Sequence, residues 1–195
     1  MVEFILWCLE VLLFIQQVDM RYWLDTEFVE DGSTIELISI GIVAEDGREY
    51  YAINSDCDLD KANDWVKENV IANLEPKNQA GATFWKPKSV IKQGILGFIG
   101  WRSGTDPHWT KPEFWGYYSD YDWVVLCQIF GSMMDLPSSW PMYCRDIKQW
   151  CDYLGNPQLP EQGKGKHNAL ADAHWNKKAW EFLRIFEEDC VVERG

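Results

Sequence analysis

Two acidic side chains, Asp25 and Glu27, stand two positions apart at the end of an apolar stretch, 20–26 (MRYWLDT). Alternate residues of a β-strand point to the same face, so both carboxylates share a face if this stretch is a strand. Like charges a few ångströms apart repel, and a bound cation or an unusual pKa relieves the repulsion. The pair therefore indicates either a cation site or two exposed acids at a strand end, and local spacing alone favours the exposed acids.

A third carboxylate, Asp122, follows the predicted strand 113–118 at the beginning of the next predicted helix. Ser119 stands three positions before it, and the pattern Ser-x-x-Asp is typical of a helix capping box. Taken alone, this pattern favours a capping role for Asp122.

A histidine and a fourth carboxylate, His167 and Asp172, are five positions apart near the C-terminal end. Five residues turn a helix by about 500°, which leaves the two side chains roughly 140° apart. They converge only if His167 lies in the preceding loop or first turn and Asp172 lies well inside the helix, and glycines at 163 and 165 permit this. The alternative is a helix start with one buried acid.

These side chains must be positioned by an alternation of strands and helices. Asp46-Gly47 predicts a two-residue hairpin turn, and the apolar spacing that includes Trp65 predicts one helix over 58–73. Three strands precede two helices, a fourth strand follows, and three helices complete the chain, which indicates a mixed α/β sheet covered by helices. The predicted strands are 20–26, 35–44, 48–53 and 113–118; the predicted helices are 58–73, 88–99, 122–130, 145–154 and 168–187; the predicted loops are 76–85, 100–112 and 155–166.

The composition is that of a globular domain. The chain has 195 residues, 47% of them hydrophobic and 25% charged, which excludes a disordered chain, a fibrous protein and a polytopic membrane protein. The net charge of −13 argues on its face against a nucleic-acid partner. Clustered carboxylates that hold divalent cations would change the local sign of the field.

The charge is unevenly distributed, and segment 76–111 is basic, with six basic residues against one acid, Asp106, a net of +5. Its aromatic and basic residues fit a surface that binds single-stranded nucleic acid, and they fit equally a core helix with a solvated lysine face. The residues concerned are Lys77, Lys86, Lys88, Lys92, Arg102, Lys111, Trp85, Trp101 and Trp109.

Six cysteines without a C-x-x-C pair argue against a structural zinc site and indicate reduced thiols in the cytoplasm. His108 and His174 are expected at the surface. Residues 4–15 (FILWCLEVLLFI) are apolar but contain Glu10 and fall short of the roughly 20 residues that span a bilayer. No basic segment precedes them, which argues against a secretory signal. Residues 1–19 are therefore either an extra helix packed on the domain or upstream sequence translated from an early start, and residues 20–190 form a single domain.

Together these motifs resemble the DEDDh group of 3′–5′ exonucleases, the DnaQ-like enzymes with an RNase H-like fold. The matching residues are Asp25-Thr26-Glu27, Tyr121-Asp122 and His167…Asp172, and the similarity extends from about 21 to 186. The stretches 25–28 (DTEF), 34–41 (TIELISIG) and 45–52 (EDGREYYA) are more specific, since they resemble exoribonuclease AS of actinobacteria and, more distantly, RNase T.

The resemblance implies an enzyme that hydrolyses single-stranded RNA from its 3′ end with two Mg²⁺ or Mn²⁺ ions and releases nucleoside 5′-monophosphates. It implies that Asp25 bridges the ions, that Glu27 and Asp172 hold one, that Asp122 holds the other and that His167 is the general base. It also implies a terminal nucleotide bound beside Thr26 and Phe28, with the Phe28 ring either stacked on a base or part of the core. A homodimer is expected by resemblance, and a membrane partner is not. The alternatives are a 3′–5′ DNA exonuclease and a catalytically silent nucleic-acid-binding module.

Overall fold

The computed structural model describes residues 20–77, 83–100, 111–163 and 165–192. The strands are β1 (Met20–Glu30), β2 (Ile35–Ala44), β3 (Glu49–Asn54), β4 (Trp85–Lys86), β5 (Pro112–Gly116) and β6 (Arg145–Asp146). They form a six-stranded sheet with the order β4-β3-β2-β1-β5-β6. Strands β1 to β3 are antiparallel, and β5 and β6 run parallel to β1, so the predicted mixed sheet is confirmed. Strand β4 pairs in parallel with β3 at the opposite edge.

Helices cover both faces of the sheet. The α-helices are α1 (Asp64–Asn69), α2 (Lys88–Ile99), α3 (Asp120–Phe130), α4 (Ile147–Tyr153) and α5 (Ala169–Val192). Tyr22 and Leu24 of β1 pack with residues of α2 and α3, whereas Trp23 packs on the opposite face with Ile147 of α4 and Leu183 of α5. This alternation along β1 decides the face to which each later residue of the strand points. No helix within the described ranges combines the length and apolar character needed to span a membrane.

Several predicted elements differ in extent. The predicted helix 58–73 is three short pieces: a 3₁₀ turn (Leu59–Lys61), α1 and a second 3₁₀ turn (Ile71–Asn73). The side chain of Asn63 accepts a hydrogen bond from Val66 N at 2.9 Å and begins α1 afresh, which interrupts the helix. The predicted strand 113–118 ends at Gly116, and the predicted helix 145–154 begins with β6. The two-residue strands β4 and β6 were not predicted because a strand of that length shows no alternation.

The hairpin between β2 and β3 is one residue longer than predicted. Ala44 N donates to Arg48 O at 2.9 Å, which leaves Glu45, Asp46 and Gly47 in the loop. Gly47 has φ +88°, the left-handed conformation that glycine adopts without steric cost. The predicted turn is thus present, but its two-residue form is wrong.

Candidate active site

The site is built on β1, where Asp25 and Glu27 continue the face of Trp23, toward α5. The pairing of β1 with β2 shifts register between Glu27 and Phe28, so regular pairing is interrupted directly after the second carboxylate. Such irregularities re-aim side chains and are frequent beside active sites.

Gly41 of β2 brings α5 close to the sheet. It lies opposite Asp25 in the antiparallel ladder. A Cβ atom at this position would lie 2.3 Å from the carbonyl oxygen of Ala169 and 2.4 Å from the Cα of Leu170, which is closer than real Cβ atoms approach. The N-terminal end of α5 can therefore rest on the strand beside Asp25 only because residue 41 has no side chain.

Asp122 joins the site from α3 through Thr26. Its Oδ1 accepts hydrogen bonds from Thr26 N at 2.9 Å and from Thr26 Oγ1 at 2.6 Å, and both residues are buried. The predicted capping box is wrong, since Ser119 makes no side-chain cap bond to α3 and instead donates to Asp146. Asp122 is thus held beside β1 by a residue 96 positions earlier.

His167 and Asp172 converge with the histidine before the helix, as predicted, but Asp172 lies in the first turn of α5 and not well inside it. His167 lies in the turn before α5 with φ +66°, a left-handed conformation unusual for a residue with a side chain. Its backbone N donates to Asp172 Oδ2 at 2.8 Å, and Gln162 donates to Asp172 Oδ1. Asp172 is therefore oriented by both of its oxygens while the imidazole of His167 stays half-buried at the site.

The four carboxylates perturb one another. Burial raises the pKa of Asp25 well above its usual value, and the charges of Asp122, Glu27 and Asp172 raise it further. Burial, with repulsion from Asp172 and Asp122, raises the pKa of Glu27 to about 8. Burial raises the pKa of Asp122 to about 6 against the opposing effect of the Thr26 hydrogen bonds. Burial also raises the pKa of Asp172, although its hydrogen bonds lower it. The cluster is short of positive charge, which a cation would supply.

The donor atoms suit a hard divalent cation. Carboxylate oxygens of Glu27 and Asp172 and a ring nitrogen of His167 all lie within 4.8 Å of one another. Asp122 Oδ2 has no hydrogen-bond partner among the described residues, so that oxygen is available to a ligand. Oxygen-rich sets of this kind are what Mg²⁺ and Mn²⁺ bind. The residues therefore fit the metal site that the sequence predicts.

The two predicted substrate-binding residues lie beside this cluster. Thr26 directs both its amide and its hydroxyl to Asp122, so in this structure it acts on the site through that carboxylate. Phe28 is half-buried, and its ring contacts that of Tyr121 edge to face at 5.7 Å. Tyr121 is exposed. A substrate contact for Thr26 or Phe28 stays a prediction.

The basic segment 76–111 is only partly described. Lys92 donates to the carbonyl of Phe130 at 3.1 Å, which ties α2 to α3. Trp85 is half-buried and donates to Glu75 O, with Lys77 Nζ 5.1 Å from the centre of its ring. These contacts agree with the interpretation of this segment as part of the packed domain and give no support for a nucleic-acid-binding surface. Trp101, Arg102, His108 and Trp109 lie outside the described residues. His174 is at the surface as expected, where its Nε2 lies 2.9 Å from Glu49 Oε1.

Three further residues at the site were not predicted from the sequence. Gln162 lies in a loop, where the sequence has no periodic pattern. Asp146 fell within the predicted helix 145–154, which gave no reason to place it at the site. Asp146 accepts a hydrogen bond from Ser119 N at 2.7 Å and adds negative charge near Asp122. Trp65, which the spacing placed on an apolar helix face, instead contacts the ring of His167 at 4.8 Å.

Comparison with known proteins identifies the family to which the chain belongs. Residues 20–184 match the family model described as "3'-5' exoribonuclease Rv2179c-like domain". The chain belongs to this family. Two curated members, 3'-5' exoribonuclease Rv2179c and 3'-5' exoribonuclease MT2234.1, both from strains of Mycobacterium tuberculosis, are each 42% identical over 154 residues, or 79% of this chain and 87% of theirs.

A solved structure shares the fold of this exoribonuclease family member. The structure of S. pombe Pop2p in its Mg²⁺- and Mn²⁺-bound form matches 85% of this chain and 82% of its own, with a TM-score of 0.50 and 12% sequence identity. At that identity the similarity concerns the fold alone. The RNase H-like α/β class expected from the sequence is confirmed.

Proposed function

We propose that this chain removes nucleotides one at a time from the 3′ end of single-stranded RNA, as a divalent-metal-dependent exonuclease of the DEDDh, DnaQ-like type that releases nucleoside 5′-monophosphates. The observation that carries the proposal is the convergence of four carboxylates and one histidine from β1, α3 and the start of α5. Membership of the exoribonuclease family supports the choice of RNA.

Two Mg²⁺ or Mn²⁺ ions are the proposed cofactors. Asp25 would hold both ions, Glu27 and Asp172 would hold one, and Asp122 would hold the other through Oδ2. When bound, the ions would neutralise the charge that develops on the scissile phosphate and on the leaving oxygen. The oxygen donors and the raised pKa values of Glu27 and Asp122 support this assignment.

The remaining chemistry falls to side chains of this protein. His167 would accept the proton of the attacking water, since a neutral imidazole accepts protons near pH 7. The backbone N of His167 donates to Asp172 and so orients that carboxylate. The ring of His167 is only half-buried, so it could pass the proton on to solvent. Thr26 would keep one oxygen of Asp122 occupied and orient the other.

The test uses RNA and DNA oligonucleotides of one sequence, labelled at the 5′ end, with Mg²⁺ or Mn²⁺ and with or without a chelator. The proposal expects the RNA to shorten one nucleotide at a time and the chelator to stop the reaction. Asp25→Asn should abolish the products, whereas the exposed turn variant Asp31→Asn should retain them. Shortening of DNA alone would favour the DNA exonuclease, binding without cleavage would favour the silent module, and turnover in excess chelator would refute the metal mechanism.

We also propose that the enzyme is a cytoplasmic homodimer. The five cysteines in the described part of the chain are free, as expected in a reducing compartment: Cys57, Cys127, Cys144, Cys151 and Cys190. The dimer follows from the family resemblance. Light scattering across a dilution series tests it, and a monomeric mass at every concentration would refute it.

A further inference from the structure

Gln162 reaches the site from a loop that helix α5 itself holds in place. Residues 157–162, here called the anchored loop, lie between α4 and the start of α5. The indole Nε1 of Trp175 donates to the carbonyl oxygen of Pro160 at 2.9 Å. Trp175 stands on α5 one turn after Asp172, so a single helix carries both the carboxylate and the support for the loop that reaches it.

Two further contacts fix the anchored loop before it reaches Gln162. The Sγ of Cys151, in α4, donates to the carbonyl oxygen of Pro157 at 3.5 Å. Leu159 packs against the buried cluster formed by β1, α4 and α5. The loop is therefore held by α4 at its start, by the core in its middle and by α5 at Pro160, which leaves little freedom in where Gln162 lies.

The two oxygens of Asp172 are held from two separate segments. Gln162 Nε2 donates to Oδ1, and His167 N donates to Oδ2 at 2.8 Å. With both oxygens engaged, the carboxylate group is restricted in its rotation. Each carboxylate oxygen has two lone pairs, so each keeps one that a cation can use. The hydrogen bonds thus fix the orientation of the group without blocking it.

The chemical type of residue 162 suits a cation site. An amide N–H orients a carboxylate without adding charge, whereas a lysine or an arginine in the same place would neutralise the carboxylate and compete with the cation. Asp172 therefore keeps its negative charge for the metal ion that the proposed function requires.

We propose that Gln162 is a positioning residue that orients Asp172 for the metal ion held by Glu27 and Asp172; this inference rests on the proposed function. Hydrogen bonds to a ligating carboxylate fix its direction, so less order has to be imposed when the ion binds. Because the anchored loop is attached to α5, Gln162 and Asp172 keep their relative positions if the helix shifts against the sheet. The metal ligand on α5 is thus oriented by its own helix.

The first test measures Mn²⁺ binding by calorimetry in the full chain without RNA. Gln162→Ala removes the donor, and Gln162→Met removes it while keeping a side chain of similar length. Both should weaken the binding of one Mn²⁺ ion by roughly 10- to 100-fold, the usual effect of losing a group that orients a metal ligand. Gln158→Ala makes the same change at an exposed position of the same loop and should bind Mn²⁺ as the wild type does.

Two results of this titration would overturn the proposal. Unchanged affinity in both Gln162 variants would show that Asp172 needs no orientation from the loop. A loss in Gln162→Ala but not in Gln162→Met would show that the side chain contributes packing and not its hydrogen bond.

The dependence of RNA shortening on Mn²⁺ separates positioning from a direct part in the reaction. In Gln162→Ala the Mn²⁺ concentration that gives half of the maximum rate should rise, whereas the rate at saturating Mn²⁺ should approach that of the wild type. Recovery at saturating metal also shows that the variant is folded. A lowered saturating rate with an unchanged Mn²⁺ dependence would contradict the positioning role.

A double variant tests the anchor on α5. Trp175→Phe keeps an aromatic ring beside Tyr117 but removes the hydrogen bond to Pro160, so it should also weaken Mn²⁺ binding. Because Trp175 acts through Gln162 in this proposal, the double variant Gln162→Ala with Trp175→Phe should bind Mn²⁺ no more weakly than Gln162→Ala alone. Additive losses, or no loss in Trp175→Phe, would overturn the role of the anchored loop. Failure of the wild type to shorten RNA would refute the proposed function instead, while the Mn²⁺ affinities would still decide the role of Gln162.

Discussion

Gly41 and Ala169 meet so closely that a Cβ atom on the glycine would lie 2.3 Å from the alanine carbonyl oxygen. The contact sets the height of α5 above the sheet opposite Asp25. His167 and Asp172 are carried by the same end of α5. The distance between the β1 carboxylates and the C-terminal pair therefore depends on the absence of one side chain in β2.

Gly41→Ala should displace the start of α5 and uncouple the two halves of the site. We expect a loss of about 1–3 kcal/mol in the free energy of unfolding, as for overpacked cores, together with a fall in activity. Gly97→Ala is the matched control, because a Cβ there meets nothing within 4 Å and alanine favours a helix interior. Urea unfolding and the rate of RNA shortening measure both effects. Wild-type activity in Gly41→Ala would show that the close approach is dispensable.

Asp25→Asn should abolish hydrolysis without unfolding the protein. Removing one member of a like-charge cluster relieves repulsion, so the melting temperature without metal should hold or rise relative to wild type. Asp31→Asn should instead lower the melting temperature, because hydrogen bonds from Thr34 and Ser33 lower the pKa of that carboxylate and stabilise its charged form. Thermal unfolding in EDTA at pH 8 compares the variants. A clear drop in melting temperature for Asp25→Asn would contradict this account of the cluster.

The stability of the metal-free protein should fall as the pH rises from the pKa of Glu27 in the unfolded chain to its higher pKa in the folded protein. The pKa of Glu27 is about 8 in the folded protein against 4.5 for the free side chain. A folded pKa raised in this way stabilises the protein fully below the unfolded value and loses that contribution as the pH approaches 8. Melting temperatures in EDTA between pH 4.5 and 8.5 should therefore decline, and Glu27→Gln should reduce the slope. Added Mg²⁺ should also reduce this decline of the melting temperature with pH. An unchanged decline in Glu27→Gln would refute the attribution of the pH dependence to Glu27.

Loss of the Thr26 hydroxyl should weaken the hold on Asp122. Thr26→Val keeps the shape but removes a buried hydrogen bond to a carboxylate, which costs about 2 kcal/mol. The same change should raise the pKa of Asp122 above its value of about 6 and reduce activity. Thr26→Ser keeps the hydroxyl and serves as the control. Denaturant unfolding at pH 8 and single-turnover rates measure the effects, and equal behaviour of the two variants would contradict the role of this bond.

His167→Ala should lower the rate of hydrolysis by roughly 10²–10⁴, the usual contribution of a positioned general base, while both metal ions still bind. His174→Ala is the control, since His174 is exposed and pairs with Glu49. Calorimetric titration with Mn²⁺ and single-turnover rates test the two halves separately. A variant that no longer binds Mn²⁺ would assign the imidazole to the metal, which its distance from Glu27 and Asp172 also allows.

Part of the site was predictable because the spacing of its residues limits where their side chains can lie, although each local signal was weak on its own. The period-two spacing of Asp25 and Glu27 requires a shared face on any strand, and the glycines before His167 allow the turn that its distance from Asp172 demands. The β-branched run of 35–44 likewise predicts β2 with its observed bounds.

The parts that escaped prediction depend on distant partners. The short-range pattern of Ser119 and Asp122 indicated a cap, but Thr26 and Asp146 compete for these groups from elsewhere in the fold. Asn63 interrupts a helix that apolar spacing alone would continue. Gln162 reaches Asp172 only once the loop before α5 has folded back, and no local pattern encodes that approach.

The topology also has a consequence for refolding kinetics. Asp25 lies in the first strand, and Asp172 lies on the final helix, so their meeting closes nearly the whole domain. Contacts of such sequence separation carry a large loop-closure entropy and slow the search for the native state. Near pH 8 this closure also brings like charges together, because Glu27, with a pKa of about 8, then loses the proton that reduces its repulsion from Asp172 and Asp122. Divalent cations should therefore accelerate the docking of α5 as well as stabilise its docked position, so that under the proposed function the metal would contribute to folding before it contributes to catalysis.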